Sequence, residues 1–162
     1  QGRWQEALRD FRLAQEQFAA AGAADRAAEL ANNIAVTCLQ AKRPQEALDA
    51  CLGTSEVFLE RGDVLRAAQA CGNLAAAHEA CGHLAEAEQA YRQALSLFAQ
   101  TDDADNRART YTALSQLQLR RRSPLAALST MRAGLEQAGR LNLVQRLLRH
   151  LMRFLGRLSG SG

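Results

Sequence analysis

The chain repeats itself every forty residues, with no insertion or deletion between copies. Ala7/Ala47/Ala87/Ala127, Phe18/Phe58/Phe98, Gly22/Gly62, Ala28/Ala68/Ala108, Asn33/Asn73 and Ile34/Leu74/Leu114 all fall at that spacing. A strict period of this length is the mark of a solenoid, in which each unit buries its apolar face by stacking on its neighbours. Chains of this kind mostly hold other molecules rather than transform them.

Two helical patterns alternate within the period. From Trp4 to Phe18, the residues Ala7, Leu8, Phe11, Ala14 and Phe18 recur at three- and four-residue steps, which draws one apolar face on a helix. Its copies are expected over Pro44–Leu59, Leu84–Phe98 and Pro124–Ala138. The partner helices are expected over Ala24–Gln40, Val64–Cys81 and Ala104–Arg120, with Asp63 and Asp103 as N-caps and Pro44 and Pro124 opening helices. Gly22, Gly62 and Gly82 punctuate the pattern. With 48% apolar residues, few aromatics and no strand-like alternation, the 162 residues suit one elongated all-α domain packed through small side chains.

The expected organisation is a half-repeat over 1–22, repeats over 23–62, 63–102 and 103–141, and a C-terminal capping helix over 142–158. That last stretch carries Leu143, Leu147, Leu148, Leu151, Met152, Leu155 and Leu158 as a broad apolar stripe, suited to sealing a solenoid end. Residues 159–162 read as a linker. The opening on the second helix of a repeat suggests a segment of a longer solenoid.

Asn73-Leu74-Ala75, Gly82-His83-Leu84-Ala85-Glu86-Ala87, Tyr91 and Ala94-Leu95 together resemble the tetratricopeptide repeat. The pattern returns more weakly as Asn33-Ile34-Ala35 with Ala47 and Cys51, as Leu114-Ser115 with Ala127 and Met131, and at Gly2, Trp4, Ala7, Phe11 and Ala14. The forty-residue spacing is most similar to the long-repeat branch of that family, which includes cell-polarity adaptors, kinesin light chains and bacterial signalling regulators. The resemblance implies a right-handed α-solenoid of helix hairpins that binds protein or extended peptide, and it leaves the ligand to surface residues.

In that family the first helix of each repeat lines a concave groove. Carried over, the groove is expected to present Glu29, Asn32 and Asn33, then Gln69 and Asn73, then Arg109, Thr112, Gln116 and Arg120. Asn33 and Asn73 matter most, because a side-chain amide both donates and accepts and so can clamp a peptide backbone of any sequence. The same amides could instead bond their own helix. The ladder ends at Ala113.

Charge is uneven along the chain. Residues 1–105 hold nine Lys/Arg and sixteen Asp/Glu, a net −7, whereas residues 106–162 hold eleven Arg and one Glu, a net +10. Arg121 and Arg122, with Arg146, Arg149, Arg153 and Arg157 at helical spacing, form a candidate basic patch. An acidic protein segment, a nucleic acid or anionic lipid, or the acidic end of another copy could meet it, and so could solvent alone. Nucleic acid is not expected, since no aromatic is interleaved with the arginines for base stacking.

No enzyme chemistry is expected. His78, His83 and His150 lack repeated carboxylate partners, and there is no glycine-rich phosphate loop. No cofactor or metal is called for, because Cys38, Cys51, Cys71 and Cys81 show no metal-ligand spacing and read as reduced packing residues. The absence of a long apolar run and of a charged-then-apolar leader leads to the expectation of no membrane span and a cytoplasmic setting. The functional expectation is a protein-interaction scaffold or peptide-binding module; the alternative is self-association into dimers or head-to-tail stacks through the charged ends.

Overall fold

The computed structural model describes residues 3–137. They form α1 (Arg3–Ala20), α2 (Ala24–Gln40), α3 (Pro44–Cys51), α4 (Thr54–Glu60), α5 (Val64–Ala80), α6 (Leu84–Phe98), α7 (Ala104–Arg120) and α8 (Pro124–Gln137). The period is kept to the residue: α2, α5 and α7 begin and end forty positions apart, as do the starts of α3, α6 and α8. The expected capping helix and the arginines within it lie outside the described residues.

Local chemistry sets these boundaries. The Asp63 carboxylate accepts from the Arg66 amide, and Asp103 accepts from the Asn106 amide, each at 3.0 Å, which satisfies an orphan donor of the first turn. Pro44 stands in the first turn of α3, where its missing N–H is not needed. At the other ends the chain turns through a left-handed residue, so that the next amide reaches back five positions: Arg43 N–H to Cys38 O at 2.8 Å, His83 N–H to His78 O at 2.9 Å, Ser123 N–H to Gln118 O at 2.9 Å. The left-handed residue is Gly82 in one turn but Lys42 (φ 59°) and Arg122 (φ 57°) in its counterparts, a conformation that costs a side chain about 1–2 kcal/mol.

The chain forms two compact units, Gln1–Asp102 and Asp103–Gly162. Gly22 and Gly62 make left-handed turns after α1 and α4, with φ 73° in each. The third position of that column is Asp102, and α6 accordingly stops at Phe98, with Thr101 Oγ1 bonded to the Phe98 carbonyl at 3.0 Å. The division therefore falls where the repeating turn is lost.

In the first unit α2 packs on α1, α3, α4 and α5, while α5 packs on α3, α4 and α6. Small side chains carry the contacts: Ala35, Ala47, Ala67, Ala68, Ala75 and Ala87 have no exposed surface. Leu8, Ile34, Cys38, Leu48 and Cys51 fill the largest cluster, with Trp4 and Phe11 packed against it. The Phe column is buried at Phe58 and Phe98 but not at Phe18, which is 40% exposed. In the second unit α7 packs on α8, around Leu114, Leu117, Ala127 and Leu135 and a part-buried bond from Thr130 Oγ1 to Gln118 Oε1 of 2.8 Å.

One expected helix is corrected. Pro44–Leu59 is not continuous: Leu52 is extended (φ −60°, ψ 128°), Gly53 is left-handed (φ 77°), and α4 restarts at Thr54. Glycine alone takes that conformation without strain. Thr54, buried, donates its hydroxyl to the Cys51 carbonyl at 2.8 Å and so satisfies an acceptor that the break exposes. The equivalent column holds Gln93 in α6, which runs unbroken.

Two interior glycines separate the effects of packing and propensity. A Cβ at Gly134 on α8 would lie 2.9 Å from Tyr111 Cβ on α7, whereas one at Gly72 on α5 would meet nothing within 4 Å. Gly134 thus compensates for Tyr111; in the preceding repeat the same two columns hold Ala94 and Cys71, both fully buried in one cluster. Gly72→Ala is expected to raise unfolding free energy by about 0.5–1 kcal/mol, and Gly134→Ala to lower it by about 1–3 kcal/mol. Urea denaturation followed by helix circular dichroism measures both.

Candidate protein-docking surface

The outward row of α2 carries Arg26, Glu29, Asn33, Val36 and Gln40 at three- and four-residue steps, because its opposite face is occupied by Ala28, Ala31, Ile34, Ala35 and Cys38. The same register on α5 presents Gln69, Asn73 and Ala76, all half-buried. α2 and α5 pack directly on each other, which puts the two asparagines at equivalent positions of adjacent helices. Asn33 is exposed. Its carbonyl accepts the Thr37 hydroxyl at 2.8 Å, so that local bond uses the backbone and not the amide. Glu29 is held by Arg26 at 3.1 Å, a surface pair of small net value.

Asn32 was expected on this surface and is half-buried, and its Oδ1 is buried without a hydrogen-bond partner. A buried acceptor left unmade costs about 1–3 kcal/mol. The third group of expected groove residues stands on α7 of the second unit: Arg109, Thr112, Gln116 and Arg120 are all exposed, with the Thr112 hydroxyl turned back to the Ala108 carbonyl at 3.0 Å. Of the basic patch, Arg121 and Arg122 are exposed at the α7–α8 turn; Arg146, Arg149, Arg153 and Arg157 lie outside the described residues.

The structure adds a feature that the repeat pattern conceals. Across α2, between α1 and the interrupted α3–α4 segment, lies an open cavity of about 630 Å³. Its floor is Ala24, Ala27, Ala28, Ala31 and Ile34, and neither Asn32 nor Asn33 belongs to its lining. The sequence signal for it was Gly53, a glycine in a column otherwise held by Leu13, Gln93 and Ala133.

Residues 1–149 match the family model of the soluble NSF attachment protein, SNAP. The chain belongs to the SNAP family. The tetratricopeptide resemblance is thus borne out as a helical-repeat architecture, and the family shown is SNAP. The all-α solenoid class is shared with the crystal structure of BtubC (BKLC) from P. vanneervenii, which superposes with a TM-score of 0.74 at 20% identity over 84% of this chain and 57% of that one. The chain therefore spans little more than half the length of BtubC, and the likeness is one of fold. No curated protein matches it in sequence.

The chemistry available to this SNAP-family chain follows from burial. All four cysteines are free thiols. Burial pushes the Cys51 thiol up to about 12, and Cys38 and Cys71 rise for the same reason, so none of the three supplies a thiolate near neutrality. Cys81 departs from the expected burial, being partly exposed at the C-cap of α5. Among the described residues no three His, Cys, Asp or Glu side chains converge as metal ligands, and no helix is long and apolar enough to cross a membrane.

The His78 Nδ1 is buried without a hydrogen-bond partner. Gln118, one period later, is satisfied by Thr130; the corresponding residue for His78 is Ala90, which has no polar atom. Burial lowers the His78 pKa, and His83, with ring centroids 5.8 Å apart, lowers it further against the opposing Glu86. The unfolded chain takes up this proton near pH 6.5 and the folded chain only below it. Stability is expected to be full above pH 6.5 and to fall as the pH drops from there through the lowered value, with His78→Gln removing that part of the loss. Urea midpoints across pH 5 to 8 measure it.

Proposed function

We propose that this SNAP-family chain is a protein-interaction scaffold that takes an extended segment of a partner across the outward faces of α2 and α5. The observation that carries the reading is the register: two first-type helices in direct contact present Asn33 and Asn73 at equivalent positions. Amide side chains in a ladder give main-chain hydrogen bonds that do not depend on the partner's sequence. Glu29 and Gln69 flank them on the same helices and are assigned to selecting the side chains of the guest.

Membership of a family named for attachment to NSF supports protein as the class of partner. No catalytic step, cofactor or nucleic-acid contact is assigned, and a reducing, cytoplasmic setting fits a chain whose four cysteines are unpaired. A second reading has an observation of its own. Residues 1–102 carry nine Lys/Arg against fourteen Asp/Glu, and residues 103–162 eleven Arg against three acids, so the acidic unit of one copy attracts the basic unit of another. That reading makes self-association fall as salt rises.

The test begins with selection from a random peptide library on the immobilised chain. The affinity of the best peptide is then measured for the wild type and for Asn33→Ala/Asn73→Ala. Both positions accept alanine at no cost in helix propensity. The double variant is expected to bind roughly tenfold or more weakly; unchanged affinity would move the binding surface elsewhere.

A further inference from the structure

One column of the second-type helices holds leucine in three of its four copies, Leu8, Leu48 and Leu128, with Glu88 between. In the first unit that leucine is covered by the first-type helix that follows. α1 packs on α2, and Leu8, 3% exposed, shares a cluster with Ile34, Ala35 and Cys38. α3 packs on α5, and Leu48, 7% exposed, lies in the same cluster with Ala77, with Leu74 packed against it. Leu128 on α8 is 50% exposed, and among the described residues no first-type helix follows α8.

The sequence beyond α8 carries the matching surface. One period after Ala108, Tyr111, Leu114, Ser115 and Gln118 stand Leu148, Leu151, Phe154, Leu155 and Leu158. One period after Asn106, Arg109 and Ala113 stand Arg146, Arg149 and Arg153, in the columns of Arg26, Glu29 and Asn33 that form the outward row of α2. Apolar and charged residues thus divide between the same two sides of a helix as they do on α2. Leu148 and Leu155 replace Ala and Ser of the earlier copies, so this stripe has more apolar surface to bury than that of α7.

The connection fits as well. Val144 falls one period after Ala104, the first residue of α7, and α8 ends at Gln137. That leaves residues 138–143 for the turn, where residues 99–103 serve before α7. Asn142 occupies the column of Gly22 and Gly62, both at φ 73°, and asparagine is among the few residues besides glycine that enter this left-handed region. A segment tethered this closely is present at a high effective concentration over α8, whereas a second copy or a separate partner loses translational and rotational freedom to reach the same face.

We propose that residues 144–158 form the first helix of a further repeat, docked in register on α8 with Phe154 against Leu128 and with Arg149 and Arg153 turned outward. Phe154 lies as far beyond Leu128 as Ile34 beyond Leu8 and Leu74 beyond Leu48. The outward side of the second unit then carries Arg109 together with Arg149 and Arg153, and is basic. This assignment stands independently of the α2–α5 face.

The test joins residues across the assigned contact. The full chain with Cys81→Ala, which removes the partly exposed thiol and leaves the three buried ones, is made with Leu128→Cys/Phe154→Cys and with Leu128→Cys/Arg153→Cys. Each is treated with a short bismaleimide and read by gel mobility and intact mass. The 128/154 pair is expected to link within one chain roughly tenfold faster than the 128/153 pair, because proximity sets the rate. Equal rates for the two pairs overturn the register. Links between chains in place of links within one overturn the assignment and give the face to a second copy, and absence of any link overturns it outright. A second measurement needs no cross-link: Leu128→Ala and Phe154→Ala are followed in urea, alone and together. The unfolding constant of the double variant is expected to fall roughly fivefold short of the product of the single effects, as for residues in contact; effects that simply multiply contradict the contact.

Discussion

The distance between helices in this chain is set by side chains of one carbon. Wherever a second-type helix leans on its predecessor, the column position is alanine: Ala47 and Ala87 have no exposed surface and Ala127 has 1%. Helix–helix spacing follows the side chains at the contact, so a small residue at one fixed column keeps each hairpin tight. Tight hairpins in turn hold the apolar row of each first-type helix, such as Ala31, Ile34, Ala35 and Cys38, under the next pair. Where a larger residue enters one column, a smaller one answers in another, as Gly134 does for Tyr111.

This constraint explains why so much of the fold was legible. Alanines at a forty-residue spacing, Asp63 and Asp103 before helices, Pro44 and Pro124 inside first turns, and glycines after helix ends each act locally, and each was read correctly. Tetratricopeptide-like motifs follow from the same packing demands. They identify the architecture, and for the same reason they do not separate a SNAP-family chain from other helical-repeat proteins.

What stayed hidden depends on contacts between columns. Gly53 sits inside an otherwise helical pattern and, without its neighbours, reads as a tolerated helix glycine; that its φ is positive follows only from the way α3 and α4 both pack on α2 and α5. Phe18 shares a column with two buried phenylalanines, and its exposure could not be read from the repeat. Lys42 and Arg122 occupy the left-handed slot that glycine fills at position 82, and nothing in their identity announces it. The unsatisfied atoms of Asn32 and His78 are likewise products of what stands opposite them. The cavity over α2 is the consequence of Gly53 and was missed with it.

The departures from the repeat are where the chain carries information beyond its fold. Alanine columns, caps, turns and the Asn33/Asn73 pair recur with the period, whereas the unsatisfied Oδ1 of Asn32 and the open cavity are particular to their places. The measurement that bears most directly on the central claim is the unfolding free energy of Ala87→Leu against that of Ala85→Leu, two residues apart on α6, one fully buried and one exposed. If one-carbon side chains set the spacing, Ala87→Leu loses about 1–3 kcal/mol or more by overpacking and Ala85→Leu stays within about 0.5 kcal/mol of the wild type. Equal stability for the two would contradict the account, since it would mean that the helix pair tolerates a wider separation than its alanine column imposes.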